Sequence, residues 1–427
     1  MHAYALSPFD AAAILITLAA LLAWVNARFF KLPTSVGLAL MGVIASVFVI
    51  VIDNLLPNGH LAETARSFLD NVDFQHALLN GMLCFLLFAG ALHVDLNALK
   101  QGRLQVALLS TLGVIVSALL VGYGLNLLTR WLGAELPLPW CFVFGALISP
   151  TDPVAVLGVM KSANTTRTLQ AMVSGESLFN DGVGIVVFTI FLASAASGHE
   201  MNGVEFGESF IVDAIGGAAL GIAVGYIAYW LMRAIEDYSV ELLITLAVVM
   251  GGYSLASVLH ISGPVAMAAA GLLIGNHGFK DAMTEETRDY IVKFWALLDE
   301  VLNAVLFLLI GLLGVALLAG DPTRLLVGAL AVPLVMAARA ISVGAPLLFW
   351  SKLFPFGSTF GVLVWGGLRG GISIAMALSL PAGPTKELIV TATYVVVLFS
   401  VLVQGVTVQR IMPKPTDPEP SARESAA

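Results

Sequence analysis

The segment Val173-Ser-Gly-Glu-Ser-Leu-Phe-Asn-Asp-Gly-Val183 carries two acids within six residues, in a run that is otherwise apolar. If it is helical, Ser177 and Asp181 lie four apart on one face, and Glu176 and Asn180 form a parallel row about 100° round. A hydroxyl and a carboxylate one turn apart offer hard oxygen ligands to a small hydrated cation. Interhelical hydrogen bonding is a sufficient reason for Ser174 and Asn180 in a membrane, but not for two acids. A second unusual segment is Gly145-Ala-Leu-Ile-Ser-Pro-Thr-Asp-Pro-Val-Ala-Val-Leu-Gly158. Pro150 and Pro153 each remove an amide donor and disturb the carbonyl one turn back. The freed carbonyls, that of Thr151 among them, need partners, and Asp152 sits at the break. A third, Trp365-Gly-Gly-Leu-Arg-Gly-Gly-Ile372, sets four glycines around Arg369.

The elements that hold these residues follow from composition. Of 427 residues, 59% are hydrophobic and 11% charged, against a charged share of about 25% in soluble domains. Lipid is the solvent that such a chain requires. About thirteen apolar runs reach or approach the ~20 residues that cross a bilayer core: 11–28, 34–52, 76–93, 104–128, 138–160, 168–196, 210–233, 239–260, 263–276, 293–319, 325–350, 358–381 and 387–409. The expected fold is therefore an all-α polytopic membrane protein, a single transmembrane unit over 1–412 with a short disordered cytoplasmic tail at 413–427, rich in Pro, Glu, Ser and Ala.

Arg28, the first basic residue, follows the first run, so that run is expected to be retained as a span and not removed as a signal peptide. The odd-numbered connections and the tail hold fourteen Lys and Arg, and the even ones hold four. That bias puts the C-terminus in the cytoplasm and, with an odd number of spans, the N-terminus outside. No basic stripe suggests nucleic acid. Cys84 and Cys141 lie in apolar runs without metal-type spacing and read as packing residues. His76, His93, His260 and His277 sit near span ends and read as interfacial.

Arg339 and Arg369 fall inside spans with Asp152, Glu176 and Asp181, and Asp299 and Glu300 stand near the start of the tenth run. A charge at mid-membrane costs about 2.5–3.5 kcal/mol, so each needs a partner or a water-filled cavity. Glu176 is the natural counter-charge for Arg369, because Asp152 and Asp181 are better kept free to exchange cations. Arg339 is left with Asp299, Glu300 or a backbone carbonyl, and the sequence does not choose. Both arginines are expected to balance charge and not to bind the transported ion. An interrupted helix that offers carbonyls and dipole ends at mid-membrane is a recurring device of secondary transporters.

The strings Ser149-Pro-Thr-Asp-Pro-Val-Ala-Val156, Gly175-Glu-Ser-Leu-Phe-Asn-Asp-Gly182, Leu302-Asn-Ala-Val-Leu-Phe-Leu-Leu-Ile-Gly311 and Gly366-Gly-Leu-Arg-Gly-Gly371 resemble, in that order, the monovalent cation/proton antiporter-1 family, the NhaP-type sodium/proton exchangers. The resemblance implies thirteen spans with inverted repeats, dimerisation and core bundles, and interrupted fifth and twelfth helices that cross. It also implies an antiporter in a bacterial or archaeal plasma membrane that serves pH homeostasis as a homodimer without a cofactor. Its transported ions would be Na+, or Li+ or K+, and H+.

Carried over by motif position, Asp181 alternately binds a proton and a cation. Asp152, Ser177 and the carbonyl of Thr151 complete the cation shell, Asn180 orients the site, and Glu176 pairs with Arg369. The Asn180-Asp181 pair is similar to the electroneutral branch. The alternatives are a sodium-coupled solute symporter or a cation channel, and more distantly an intramembrane aspartyl protease that would use Asp152 and Asp181.

Overall fold

The computed structural model describes residues 8–55, 81–100, 102–153, 156–158, 160, 165, 167–198, 202–279, 282–317, 321–349 and 356–411. The tail at 413–427, most of the connection 53–75, the first residues of the third run and His76 lie outside the described residues. Within them the chain is helical, and nine helices are long and apolar enough to cross a membrane.

The helices follow the expected runs. They are α1 (Pro8–Val25), α2 (Thr34–Leu55), α3 (Leu83–Leu92), α4 (Arg103–Ser110), α5 (Leu112–Leu132), α6 (Leu138–Leu147), α7 (Arg167–Ser197), α8 (Gly203–Met232), α9 (Tyr238–Val258), α10 (Gly263–Leu273), α11 (Glu285–Leu317), α12 (Pro322–Phe349), α13 (Phe356–Trp365), α14 (Gly371–Leu378) and α15 (Pro384–Phe399). The fourth run is α4 continued by α5. The fifth run is α6 followed by a break. The twelfth run is α13 and α14 with a break between them.

Local chemistry sets the ends. Asn202 caps α8 by accepting from the N–H groups of Val204 and Glu205 at 2.9 and 3.0 Å, while Glu205 reaches back to the N–H of Asn202. Asp237 caps α9 in the same way through Ser239 and Val240. Gly133, at φ +67°, ends α5 in the left-handed conformation that glycine tolerates.

In lipid, helices associate through close packing and not through apolar burial alone, and small residues permit it. Gly42 of α2 faces Gly311 of α11, and Gly217, Gly221 and Gly225 of α8 lie against α10. Trp295, fully buried, stacks among Phe85, Phe88 and Phe294 and donates its indole N–H to Thr245 Oγ1 at 3.1 Å. Cys84 and Cys141 are free, buried packing residues. The largest core joins residues of α2, α5, α6, α12 and α15, and a second joins α3, α8, α9, α10 and α11. α7 crosses the middle, packed on α6 and α4, and so carries its polar row into the interior.

Candidate cation and proton site

The two prolines dictate the geometry of the break. Pro150 has no N–H for the carbonyl of Ala146, which instead accepts from the Ser149 N–H at 3.2 Å. Pro153 has none for the carbonyl of Ser149, which instead accepts from Nη1 of Arg369, as does the carbonyl of Pro150 at 2.8 Å. Between the prolines the chain is extended. The N–H of Thr151 donates to Asn180 Oδ1 at 3.2 Å, and that of Asp152 donates to the carbonyl of Leu368 at 2.7 Å. The second bond belongs to an isolated antiparallel bridge, so the broken fifth and twelfth spans meet at their interruptions.

The other side of the bridge is supported from the thirteenth run. The break in the twelfth span exposes the carbonyl of Trp365 and the N–H of Arg369. Gln404 Nε2 donates to the former at 3.1 Å, and Ser400 Oγ accepts from the latter at 2.7 Å. Both supports lie on a single π turn, Ser400–Gln404, a local distortion found often at functional sites. Glycine is required by the close approach. A Cβ on Gly370 would stand 2.5 Å from Asp152 Oδ2, and one on Gly367 would stand 2.8 Å from Arg339 Nε.

α7 supplies the facing wall. Asn180 Nδ2 donates to Thr151 Oγ1 at 2.7 Å and to Glu176 Oε1 at 3.2 Å. Because Thr151 Oγ1 accepts there, its own proton is free to go to Ser177 Oγ at 3.0 Å, and Ser177 in turn donates to the carbonyl of Thr151 at 2.8 Å. The amide and two hydroxyls thus form a directed chain that ends on the backbone oxygen expected to bind a cation. Asp181, one turn beyond Ser177, is 7% exposed, and its Oδ1 has no hydrogen-bond partner among the described residues.

Asp181 and Asp152 line one cavity of about 400 Å³, together with Thr151, Ser174, Ser373 and Gly370. Ser177 does not line it, since its hydroxyl is held by Thr151. Such a site can hold either a proton on Asp181 or a small cation among oxygens, because both need the same carboxylate.

The profile of the family described as "Sodium/hydrogen exchanger, transmembrane" matches residues 15–414. The chain belongs to the sodium/hydrogen exchanger family. This exchanger is 44% identical over 411 residues to the Na(+)/H(+) antiporter NhaP of Pseudomonas aeruginosa, an alignment that covers 93% of this chain and 95% of that protein. It is 34% identical over 395 residues to the Na(+)/H(+) antiporter NhaH of Halobacillus aidingensis, covering 91% and 93%. Its fold is similar to that of the sodium proton antiporter MjNhaP1 of Methanocaldococcus jannaschii, with a TM-score of 0.73 at 21% identity over 95% of this chain and 97% of that one.

One expectation of the sequence is corrected. Glu176 pairs with Arg339, not with Arg369. Nη1 and Nη2 of Arg339 donate to the two carboxylate oxygens at 2.9 and 3.1 Å, and Arg339 also donates to the carbonyl of Leu363. All three charged residues are nearly sealed, with Glu176 and Arg369 at 2% exposure and Arg339 at 5%. The physical reason is the demand made by the prolines. The carbonyls of Ser149 and Pro150 that the break leaves open lie within reach of Arg369 Nη1, whereas Arg339 reaches Glu176 and takes it in the two-pronged geometry that guanidinium favours.

The sequence reading also passed over Ser400 and Gln404, although two polar residues four apart in an apolar run were a visible signal. It passed over Glu241 as well, which lies just inside the eighth run, is 1% exposed and has no hydrogen-bond partner at Oε2 among the described residues.

Proposed function

We propose that this integral membrane protein is a secondary transporter, not an enzyme, which exchanges Na+, with Li+ or K+ as alternatives, for H+ by competition at Asp181. The observation that carries this reading is the pair of carboxylates, Asp152 and Asp181, that share one cavity while Asp181 Oδ1 is buried without a partner among the described residues. An ionised carboxylate sealed from water costs several kcal/mol unless it is compensated. A bound proton or cation removes that cost, and the two exclude each other. The loaded site can therefore change sides, whereas the empty charged site crosses poorly, and the two gradients become coupled by alternating access.

Charge counting supports one-for-one exchange. Around the break two buried arginines, Arg339 and Arg369, stand against two buried acids, Glu176 and Asp181, and the half-buried Asp152, with the half-buried Asp299 counted apart as lying farther out on α11. One negative charge is in excess, and one proton or one monovalent cation neutralises it. In this reading Asp152, the Thr151 carbonyl and Ser177 complete the cation shell once Ser177 turns its hydroxyl proton away from Thr151. Asn180 orients Thr151, and Glu176, Arg339 and Arg369 hold the frame. The antiporter names of the relatives, NhaP and NhaH, agree with it.

The protein is further proposed to be a homodimer with its C-terminus in the cytoplasm. The positive bias of the odd connections supports the orientation. The dimer rests on the family resemblance, and α1 and α8 turn apolar side chains such as Trp24, Ile215 and Trp230 outward. Purified protein in proteoliposomes tests the exchange: Na+ added against a pH gradient should collapse it for the wild type and leave it intact for Asp181→Asn. Collapse that persists in the variant, or that requires a solute other than the cation, overturns the proposal.

A further inference from the structure

We propose that Asp299, held by Asn303, is an outer cation-capturing carboxylate on the cytoplasmic approach to the Asp152–Asp181 centre. The inference rests on the exchange reading and its orientation, and adds to them a positioning residue for the incoming ion.

Depth comes from two antiparallel helices. Leu306 of α11, Ala375 of α14 and Leu86 of α3 pack in one cluster, which marks the level of the break in the twelfth span. Seven residues back along α11 stands Asp299, and seven residues forward along α3 stands His93. Each interval is two helical turns, about 10 Å. α3 is followed by Lys100 and Arg103, and α11 is entered past Arg288 and Lys293, so both intervals run toward the basic, cytoplasmic side. Asp299 and His93 thus share a level nearer the mouth, and both line the cavity that reaches Asp152 and Asp181.

The surroundings of Asp299 suit capture. Its Oδ1 accepts from Asn303 Nδ2 at 3.2 Å, one turn along the same helix, and no lysine or arginine among the described residues pairs with it. That hydrogen bond joins no two helices, so structural glue does not account for the acid. His93 Nδ1 donates to the carbonyl of Ala89 at 2.7 Å, which holds the ring against its own helix at the cavity wall. None of the described residues lining the cavity is Lys or Arg. A cavity walled by one sign of charge in a low-dielectric surround concentrates counter-ions. Asp181 at its deep end, buried and with no partner for Oδ1 among the described residues, is where a captured ion gains most. Asp299 is only half-buried, so an ion there keeps part of its water and passes on.

Everted membrane vesicles present the cytoplasmic face to added Na+, and right-side-out vesicles present the other. In everted vesicles Asp299→Asn should raise the KM for Na+ about fivefold, by loss of the focusing charge, with Vmax falling less than twofold. Asp299→Glu should restore KM. Added choline chloride should raise the wild-type KM by a larger factor than that of Asp299→Asn, because the outer fixed charge is the one most open to screening. Right-side-out vesicles should show no change in KM. An unchanged KM in everted vesicles, or a lost Vmax at unchanged KM, overturns the inference alone. A wild type with no cation-dependent signal overturns the exchange reading and this inference with it.

Discussion

Glu176 and Asp181 lie five residues apart on one helix and end in opposite circumstances. Glu176 is closed into a two-pronged pair with Arg339 and further bonded by Asn180. Asp181 is also buried, yet its Oδ1 has no donor among the described residues, and it lines a cavity shared with Asp152. In the proposed exchange the matched acid serves the scaffold, and the unmatched one, which shares a cavity with a second carboxylate, takes the ion. Sequence position alone does not tell them apart. What separates them is the donor supply on the neighbouring helices.

The contrast can be broken from the Asp181 side with the largest effect. Asp181→Asn removes the one excess charge and should reduce exchange to background, while thermal unfolding in detergent stays at or above the wild-type temperature because an uncompensated acid has gone. A large drop in thermal stability would mean that Asp181 is a structural residue like Glu176. From the other side, Arg339→Ala leaves Glu176 buried and unpaired, a loss of about 3–5 kcal/mol, seen as poor yield and a lowered unfolding temperature. The double variant Glu176→Leu with Arg339→Met should recover much of that stability, since apolar replacement of a buried pair is often close to neutral.

Arg369→Gln sharpens the comparison between the arginines. It leaves the Glu176–Arg339 pair intact and leaves the carbonyls of Ser149 and Pro150 short of donors, at about 1–3 kcal/mol. The expected outcome is reduced exchange with the protein still folded, measured as Vmax against unfolding temperature. Thr151→Val should have the smallest effect. It removes the hydroxyl between Asn180 and Ser177, worth about 1 kcal/mol, and should appear as a raised KM for Na+ with a nearly unchanged unfolding temperature.

Much of this architecture was legible in the sequence. The apolar runs gave the spans, and Pro150 and Pro153 gave the break in the fifth. The four glycines around Arg369 marked where other segments of the chain approach closely. The partners of the two arginines were not legible, because they depend on which helices become neighbours, and Arg339 and Arg369 lie thirty residues apart in consecutive runs. Yet a rule was available: a proline at position 153 deprives the carbonyl at position 149 of its donor, and a buried arginine without a free acid is the residue able to replace it. Glu241 escaped notice because it lies three residues into its run, where an acid passes for the edge of a membrane span.

The antiparallel bridge between Asp152 and Leu368 also bears on how the exchanger moves. It stitches the two interrupted spans by backbone atoms, while Arg369, Ser400 and Gln404 fasten the loose ends. Neither half-helix can slide alone without breaking bonds that lipid cannot replace. In the proposed exchange the crossing would therefore move as one cassette. On that proposal the sodium gradient would drive a preassembled unit past its neighbours, and the cradle would keep one size, hence one preference among cations, on both sides of the membrane.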